Sequence, residues 1–563
     1  MLVINYLKNN CMLIKNIIHN TSTKLLLLLA MVLLIGACKK NDEETLAAPR
    51  IFKASDINIA AGANSAKIKW AVPIFATGKA LKYTVDFSKD QAFGTIAFSK
   101  VVDTAGITVT DDNIEVRTPY FVRIKANAFE DQPESKYVIS SSFTLTGTQL
   151  FLAVRDAEIK ENSVTLRFTS ETGLSSIKLT PETGTAITTT LSAGDLTAGL
   201  KTISGLTGGL KYTAELLAGT KNKGNVTFTT SPATAYTVKI SPTDDLAATI
   251  ASAANGAVIG LNPGTYNLTA LATFITAKTI TLKSTSGNPE DTKVNYKEFD
   301  LEGTGAGIIL SGIDLDGTAG AALYFLNLIG SQAANGSAAT FTNIVVDNCI
   351  VHGATTAFLR ADRGTAARDF KIGNITVNNS VVFDMGANGG SNYYTFHLNK
   401  LEFNTLTVSK STFYNAGPGL VTASTTYAGA VVPTVNISYS TFNGFGGNAK
   451  YALLDANANP VNFSLQNSIV ANTPKSGTVQ AAALRSSGAG VTTTFSYNNT
   501  FGLYNALTGN VGLTFPSTVT QTANQTIDLG WTGATTSFTL PVGSSLRTAS
   551  STSIALGDPR WAY

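Results

Sequence analysis

The chain has 563 residues, 44% hydrophobic and 14% charged, with 49 glycines, 16 prolines and 3 cysteines, against roughly 25% charged residues in an ordinary soluble domain. So little charge excludes a charged disordered chain or a coiled coil, and the length predicts about three or four domains of roughly 100 to 200 residues. Abundant Thr, Ser, Asn and Gly without a long run of helix formers point to an all-β, exported protein, and a formal charge of +4 hints at a mildly basic one.

The first segment accounts for that charge. Lys24 precedes a thirteen-residue apolar stretch, Leu25 to Ala37, too short to span a membrane and suited to the core of a signal peptide. Ile35-Gly36-Ala37-Cys38 resembles a bacterial lipobox, which implies cleavage after residue 37, lipidation of Cys38 and attachment to the outer membrane through the lipid alone. Lys39 to Glu44, within a tether over 38–47, resembles the charged leader that sends glycan-utilisation lipoproteins to the cell exterior. Losing residues 1–37 removes Lys8, Lys15 and Lys24 and no acid, taking the basic count from 41 to 38 against 37 acids. The clustered positive charge that nucleic acid requires is therefore missing, and no nucleic-acid partner is expected. Cys11 leaves as well, so Cys38 and Cys349 remain, with neither an intrachain disulfide nor a cysteine metal site expected.

From 48 to 147 short strands alternate: Ala66 to Trp70, Lys82 to Phe87, Tyr120 to Ala126. Period-two alternation between turn residues predicts a β-sandwich. The pattern resembles a fibronectin type III module, with Trp70 as the core tryptophan and Tyr120, after Thr118-Pro119, as the corner tyrosine. A second, diverged copy over 148–232 has Ser163 to Phe168 as a strand, and Leu206-Thr207-Gly208-Gly209-Leu210-Lys211-Tyr212 resembles the same corner. Such modules imply spacers.

Beyond Ser231 the sequence repeats. Ile308 to Gly317 aligns without gaps on Ile344 to Gly353, and a reference position recurs at Ile313, Cys349, Ser380, Ser411, Ser440, Ser468 and Asn499, at spacings of 36, 31, 31, 29, 28 and 31 residues. Three residues earlier lie Leu310, Val346, Val377, Val408, Ile437 and Leu465, broken by Ser496. Two later lie Leu315, Val351, Val382, Phe413, Phe442, Val470 and Phe501. Gly312, Asn348, Asn379, Asn467 and Asn498 stand just before the reference, where a left-handed bend favours Gly or Asn, with Lys410 and Tyr439 as exceptions. Strand, bend, strand at this period predicts a right-handed parallel β-helix over 236–515, whose coils stack at roughly 4.8 Å and are not stable singly.

A helix capped by Thr243 is expected to cover its open end, followed by first coils at Ala257 to Tyr266 and Thr279 to Lys283. This opening, with its Pro263-Gly264-Thr265-Tyr266, resembles the pectin-lyase-like superfamily, in particular chondroitinase B and alginate-lyase-type chains. Residues 516–563 are expected to cap the far end. The fold class is thus all-β: two fibronectin III-like sandwiches and a parallel β-helix, as in surface lipoproteins of glycan-utilisation loci.

In such a helix, outward residues of neighbouring coils form columns. One holds Asp316, His352, Phe383, Tyr414 and Asn443, with Asp316 and His352 close enough to pair. A second follows from inward Leu359, Phe396, Leu454 and Leu484, which turns Arg360, His397, Asp455 and Arg485 outward. Alternation adds Asp362, Asn399 and Asn457, and the Gly386 to Tyr394 insertion brings Tyr393 and Tyr394 beside them. Arg363 and Lys400 lie in the same stretches. Aromatic faces with Arg and His suit sugar rings and uronate carboxylates, so the expected partner is an acidic polysaccharide, handled beside glycan-uptake machinery. If the chain cuts, a β-eliminating lyase needs a group to neutralise the uronate, a base and an acid: Arg360, His397, and Tyr394 or Lys400. Against turnover, the calcium-ligating and Lys/Arg motifs of those lyases are unrecognisable, no cofactor or metal is implied, and the upstream coils read as sparsely charged. Glycan binding, lyase action and a structural adhesin remain three readings of one surface.

Overall fold

A computed structural model describes residues 49–386, 391–425, 431–457, 459–508 and 511–563. The signal peptide, Cys38 and the tether lie outside the described residues. The chain divides into two compact units, one of residues 1–149 with 220–224 and one of the remainder.

In the first unit, Ser55–Ala61, Ser65–Ala71 and Gly106–Thr110 form one antiparallel sheet, and Phe98–Val102, Tyr83–Ser88, Pro119–Ala126 and Val138–Ile139 the other. The alternation read from sequence is the burial pattern: Ile68, Val85, Val122 and Ile124 are fully buried between the sheets, with Trp70 edge-on to Tyr83 at 5.3 Å. The Tyr120 hydroxyl accepts a hydrogen bond from the Glu115 amide at 3.3 Å. That bond, five residues back along the chain, is the corner expected of a fibronectin III-like sandwich.

The second unit opens with the diverged copy. Ser163–Arg167 pairs with Leu200–Ser204, and Ser176–Pro181 lies between Ile187–Thr190 and Lys211–Ala218. The Tyr212 hydroxyl accepts from the Thr207 amide at 2.9 Å, repeating the corner at the same separation. This sandwich is tied to the repeat that follows by ion pairs, Lys283 to Glu161 at 2.5 Å and Lys410 to Asp156.

The repeat is a parallel β-helix with sheets of eleven, nine and eight strands. On the first sheet Leu282, Leu310, Val346, Val377, Val408, Ile437 and Leu465 stand in register, and on the second Leu315, Val351, Val382, Phe413, Phe442 and Val470. Every bend between these sheets, from Gly312 onward, is left-handed, including Lys410 (φ 49°) and Tyr439 (φ 47°). Those two positions adopt the bend against their own preference because the coil's neighbours above and below already impose it.

The last coil differs from the expectation by one residue. Its bend residue is Tyr497 (φ 55°), and Phe495 pairs with Leu465, so the inward column continues where Ser496 had seemed to break it. Asn498, and not Asn499, then occupies the reference column, its side-chain carbonyl accepting from the Ser468 amide at 2.9 Å, and Thr500 rather than Phe501 stands beside Val470.

Two end elements also differ. The helix is Leu246–Ser252, capped by Asp245, whose carboxylate accepts from the Ala248 amide at 2.9 Å; Leu246 and Ile250 are buried, and Thr243 lies outside it. Of the segment expected as a far-end cap, Thr520–Thr522 adds a strand to the first sheet. The rest runs back along the side of the coils: the Gly557 amide donates to the Asn467 carbonyl at 2.9 Å, the Trp561 indole to the Thr412 hydroxyl at 2.7 Å, and Arg560 to the Asn379 carbonyl at 2.9 Å. Leu540, Leu546 and Leu556 gather there against Ile469, an apolar strip that needed cover.

Candidate functional site on the third sheet

Strand pairing on the third sheet sets Asp300, Asn327, Arg360, His397, Thr422, Asp455 and Arg485 in one continuous column. Leu359, Phe396, Leu454 and Leu484 are buried beneath it, so the expected inward and outward sets are the observed ones. Four sequence-expected residues of the column, Arg360, His397, Asp455 and Arg485, are thus brought to one face. Asp362 and Asn399 flank them.

Asp362 organises the centre. One carboxylate oxygen accepts from Arg360 Nε at 2.7 Å, and the other lies 3.5 Å from His397 Nε2. Burial opposes ionisation of Asp362, but the His397 hydrogen bond and the Arg360 guanidinium outweigh it and hold the carboxyl far below its ordinary range. The Arg360 guanidinium is 5.1 Å from the Tyr324 ring centre and 5.2 Å from that of Tyr393, and it donates to the Tyr324 hydroxyl at 3.3 Å. Tyr393 also tilts against His397 at 4.5 Å. Part of the insertion carrying it, Ala387 to Gly390, lies outside the described residues.

Two expected roles do not fit this geometry. His397 is 8% exposed, with its Nδ1 3.4 Å from the Tyr394 backbone amide and its Nε2 between the Asp362 carboxylate at 3.5 Å and the Asn399 side-chain amide at 3.4 Å. Both ring nitrogens thus face protein groups, which leaves the imidazole no open edge toward a substrate proton. Arg360 is already neutralised by Asp362. Tyr394, expected beside Tyr393 on the surface, is 3% exposed; its hydroxyl accepts from the Tyr451 amide at 3.1 Å, and burial pushes its ionisation well above the ordinary range. Alternation of neighbours turns one tyrosine out and the other in.

The cations without a carboxylate are the flanking pair. Arg363 Nε donates to the Asn327 side-chain oxygen at 3.0 Å, and Lys400 Nζ to the Gly364 carbonyl at 3.0 Å; neither has an ion pair among the described residues. Farther along, Arg485 Nε donates to Asp455 at 2.8 Å, and the guanidinium lies 4.9 Å from the Tyr451 ring centre. Asn399 turns inward to its neighbours, its side-chain oxygen accepting from the Ser424 amide at 2.7 Å.

The upstream coils, read as sparsely charged, are acidic on this face. Glu298, Asp300 and Glu302 alternate around Phe299 and Leu301. Asp300, 7% exposed, accepts from the Asn327 amide at 2.9 Å and is hydrogen-bonded to Glu298. Burial, then the neighbouring Asp300 carboxylate, pushes Glu298 up to about 8, and burial likewise raises Asp300. Glu302 differs: although buried, it accepts from Thr276 at 2.6 Å and the Gln332 amide at 2.8 Å and is lowered. The signal in the sequence was the acid-apolar alternation of Glu298 to Glu302, one coil before Asn327.

The second-sheet column is a structural ladder. His352 stacks on Phe383 at 4.5 Å and Phe383 on Tyr414 at 4.9 Å, so the ring faces a sugar would use are covered by each other. His352 Nε2 reaches Asp314 at 3.1 Å; Asp316, expected as its partner, is 3.6 Å away and pairs with Lys293 at 2.7 Å. A cleft of about 800 Å³ lies beside Phe383, Tyr414, Lys475 and Tyr504. Cys349 is buried, and burial pushes its thiol up to about 12. Among the described residues no group of three or more His, Cys, Asp or Glu could hold a metal, and no helix is long and apolar enough to cross a membrane.

Residues 264–416 match the model of a family described as a domain of unknown function (DUF4957), a stretch that holds Glu298 through Lys400. No curated protein matches the chain. Among solved structures the chain is similar to a two fibronectin type III domain segment from chicken tenascin, at 14% identity over 31% of this chain and 97% of that one, with a TM-score of 0.17. It is also similar to the FN1–FN3 domains of chicken CNTN1, at 15% identity over 33% of this chain and 66% of that one, with a TM-score of 0.15.

Proposed function

We propose that the third-sheet face binds an acidic polysaccharide, on a chain anchored through Cys38 to the outer membrane and held off it by the sandwiches. The observation behind this reading is that Arg363 and Lys400, which flank the column, have no ion pair among the described residues. Arg363 has no carboxylate at ion-pair distance; of the two carboxyls whose field it feels, Asp300 is buried and bonded to Asn327 and Glu298, and Glu298 is raised to about 8 by burial and by Asp300. A guanidinium fixed by Asn327 keeps its remaining N–H groups for a carboxylate and offers the two-point contact a uronate provides. The face tracks a linear polymer because successive coils repeat the same outward position.

Electrophoresis through gels containing pectin, alginate or a glycosaminoglycan tests it. The protein should be retarded by at least one acidic polymer and by no neutral one, and Arg363→Ala with Lys400→Ala should reduce the affinity about tenfold or more without lowering the melting temperature. Equal retardation of parent and variant would remove the site.

One observation favours a second reading, that the polymer is also cut. A protonated Glu298 against the Asp300 carboxylate pairs an acid with a base: Asp300 can take the proton from the carbon next to the uronate as the bond to the glycosidic oxygen breaks, Glu298 can give a proton to that departing oxygen, and Arg363 in place of Arg360 neutralises the uronate. Ultraviolet absorbance of unsaturated uronides during incubation with each polymer decides between the two. Absence of product with every polymer that is bound leaves binding alone.

A further inference from the structure

The first sandwich carries an apolar tip that no strand or loop of its unit covers. Val72, Ile74 and Phe75, in the loop after the strand that bears Trp70, are 41%, 66% and 83% exposed, and Phe52 is 56% exposed. Phe52 and Phe75 meet edge to face at 5.9 Å, and Ile74 and Val72 are exposed in the same loop as Phe75. Pro73 to Ala76 form a tight turn, closed by the Ala76 amide donating to the Pro73 carbonyl at 3.0 Å. Phe75 stands at its third position with φ 65°, a place that favours glycine or asparagine. Holding a largely exposed aromatic in a conformation that disfavours it is hard to account for by folding, and strained exposed residues of this kind concentrate where a protein meets something else.

We propose that this tip inserts into a lipid bilayer surface and orients the anchored chain. Two observations choose a membrane over another occupant. Pro49, where the described chain begins, lies three residues from Phe52 and eleven from Cys38, so Phe52 stays within at most about 50 Å of a lipidated Cys38 even with the chain between them fully extended. The patch is also rimmed for an interface: Arg50, Lys53 and Lys79 are exposed beside it, with Glu130 and Asp131 on the neighbouring turn, leaving a cationic surplus of one. Phe and Ile at a loop apex, with long basic side chains behind them, is the arrangement that buries apolar side chains among acyl chains and leaves charge among headgroups. The distance argument rests on the reading of Cys38 as the anchor; the patch itself does not.

The chain truncated ahead of Lys39, which keeps every described residue, tests the tip without any lipid of its own. In flotation with vesicles of phosphatidylethanolamine and phosphatidylglycerol it should rise with the lipid, and Ile74→Ser with Phe75→Ser should lower the bound fraction at least tenfold. Added salt should reduce it only about twofold, given the small surplus of charge. Phe75→Gly should also weaken flotation severalfold while melting no lower than the parent, since glycine suits the turn, which separates lost contact from lost folding. Failure of the parent to float, or equal flotation of the serine variant, overturns the proposal. So does a dimer of the truncated chain that the same substitutions break, which would make a second copy the occupant. Retardation by acidic polymers should be unchanged in these variants, so a failure here is distinguishable from failure of the polysaccharide site.

Discussion

Asp362 shows how much one side chain decides on this surface. It ties Arg360 and His397 together, and the side chains of Arg360 and Asp362 are only 17% and 22% exposed. Removing one partner of a fully buried pair typically costs about 3 to 5 kcal/mol, and partial solvation here brings the figure for Asp362→Asn to about 2 kcal/mol. Arg360→Met added to that variant should recover part of the loss, because the stranded guanidinium goes with it; urea unfolding measures both, and no recovery would mean the carboxylate acts on some other group. Glu298 gives the opposite sign. Its folded pKa, about 8, is raised above the usual glutamate value, so the folded state binds more protons between about pH 4.5 and 8 and stability falls as pH rises through that window. Glu298→Gln should flatten this slope, and a parent whose melting temperature does not fall between pH 5 and 8 would contradict the assignment. The column from Arg360 to Arg485 was legible because alternation needs only one inward residue to fix the rest. The roles were not: the edges of the His397 ring are taken up by the Tyr394 amide on one side and by Asp362 and Asn399 on the other, and whether Tyr394 is exposed depends on Tyr451, 57 residues later.

At the scale of one coil, the reference position is a ladder of hydroxyls. Ser411 accepts from the Ser380 amide at 3.1 Å and donates to its own Ser409 carbonyl at 2.7 Å, and Ser380, Ser440 and Ser468 each do the same one coil apart. Cys349 stands in the same column, its thiol 3.4 Å from the Asp347 carbonyl, which explains a buried cysteine without any chemistry. Ser411→Ala leaves the Ser380 amide unsatisfied inside the stack, while the Ser409 carbonyl keeps its bond from the Asn379 amide, and should cost about 1 to 3 kcal/mol. Ser411→Cys should cost less than Ser411→Ala, since the ladder already holds a cysteine at Cys349; the reverse order in denaturant unfolding would show that size, and not hydrogen bonding, governs the column. The repeat was readable down to this level because each coil restates it. Reading failed where restatement ends: at the last coil Ser496 looked like a broken ladder, when the step from Leu465 is one residue less than the 31 read from the sequence and Phe495 fills the place.

Across the molecule, the least legible element is the tail, because it has no period and its partners lie far back in the chain, Asn379 181 residues before Arg560 and Arg155 408 residues before Tyr563. Its charge is sparse for the same reason as that of the coils, since Gly, Ser and Thr serve turns. What distinguishes it is where its apolar residues go: Leu540, Leu546 and Leu556 are buried against Ile469, and Phe538 packs on Tyr414 at 5.7 Å. Three leucines at roughly 1.5 to 3 kcal/mol each give about 5 to 9 kcal/mol for docking the tail, before the entropy of ordering it is subtracted. Asp558 is buried within the same contact, accepting from the Thr412 hydroxyl at 2.7 Å, so the segment is anchored by polar as well as apolar groups. Ending the chain after Gln525 keeps the last strand on the first sheet and removes only the returning segment. Because the first sandwich forms a compact unit apart from the helix, calorimetry of this variant should show the transition of the helix unit moved down by several degrees while that of the first sandwich stays in place. A single transition that shifts as a whole would show that the two units unfold together, and no shift in either would show that the coils are stable without the strip being covered.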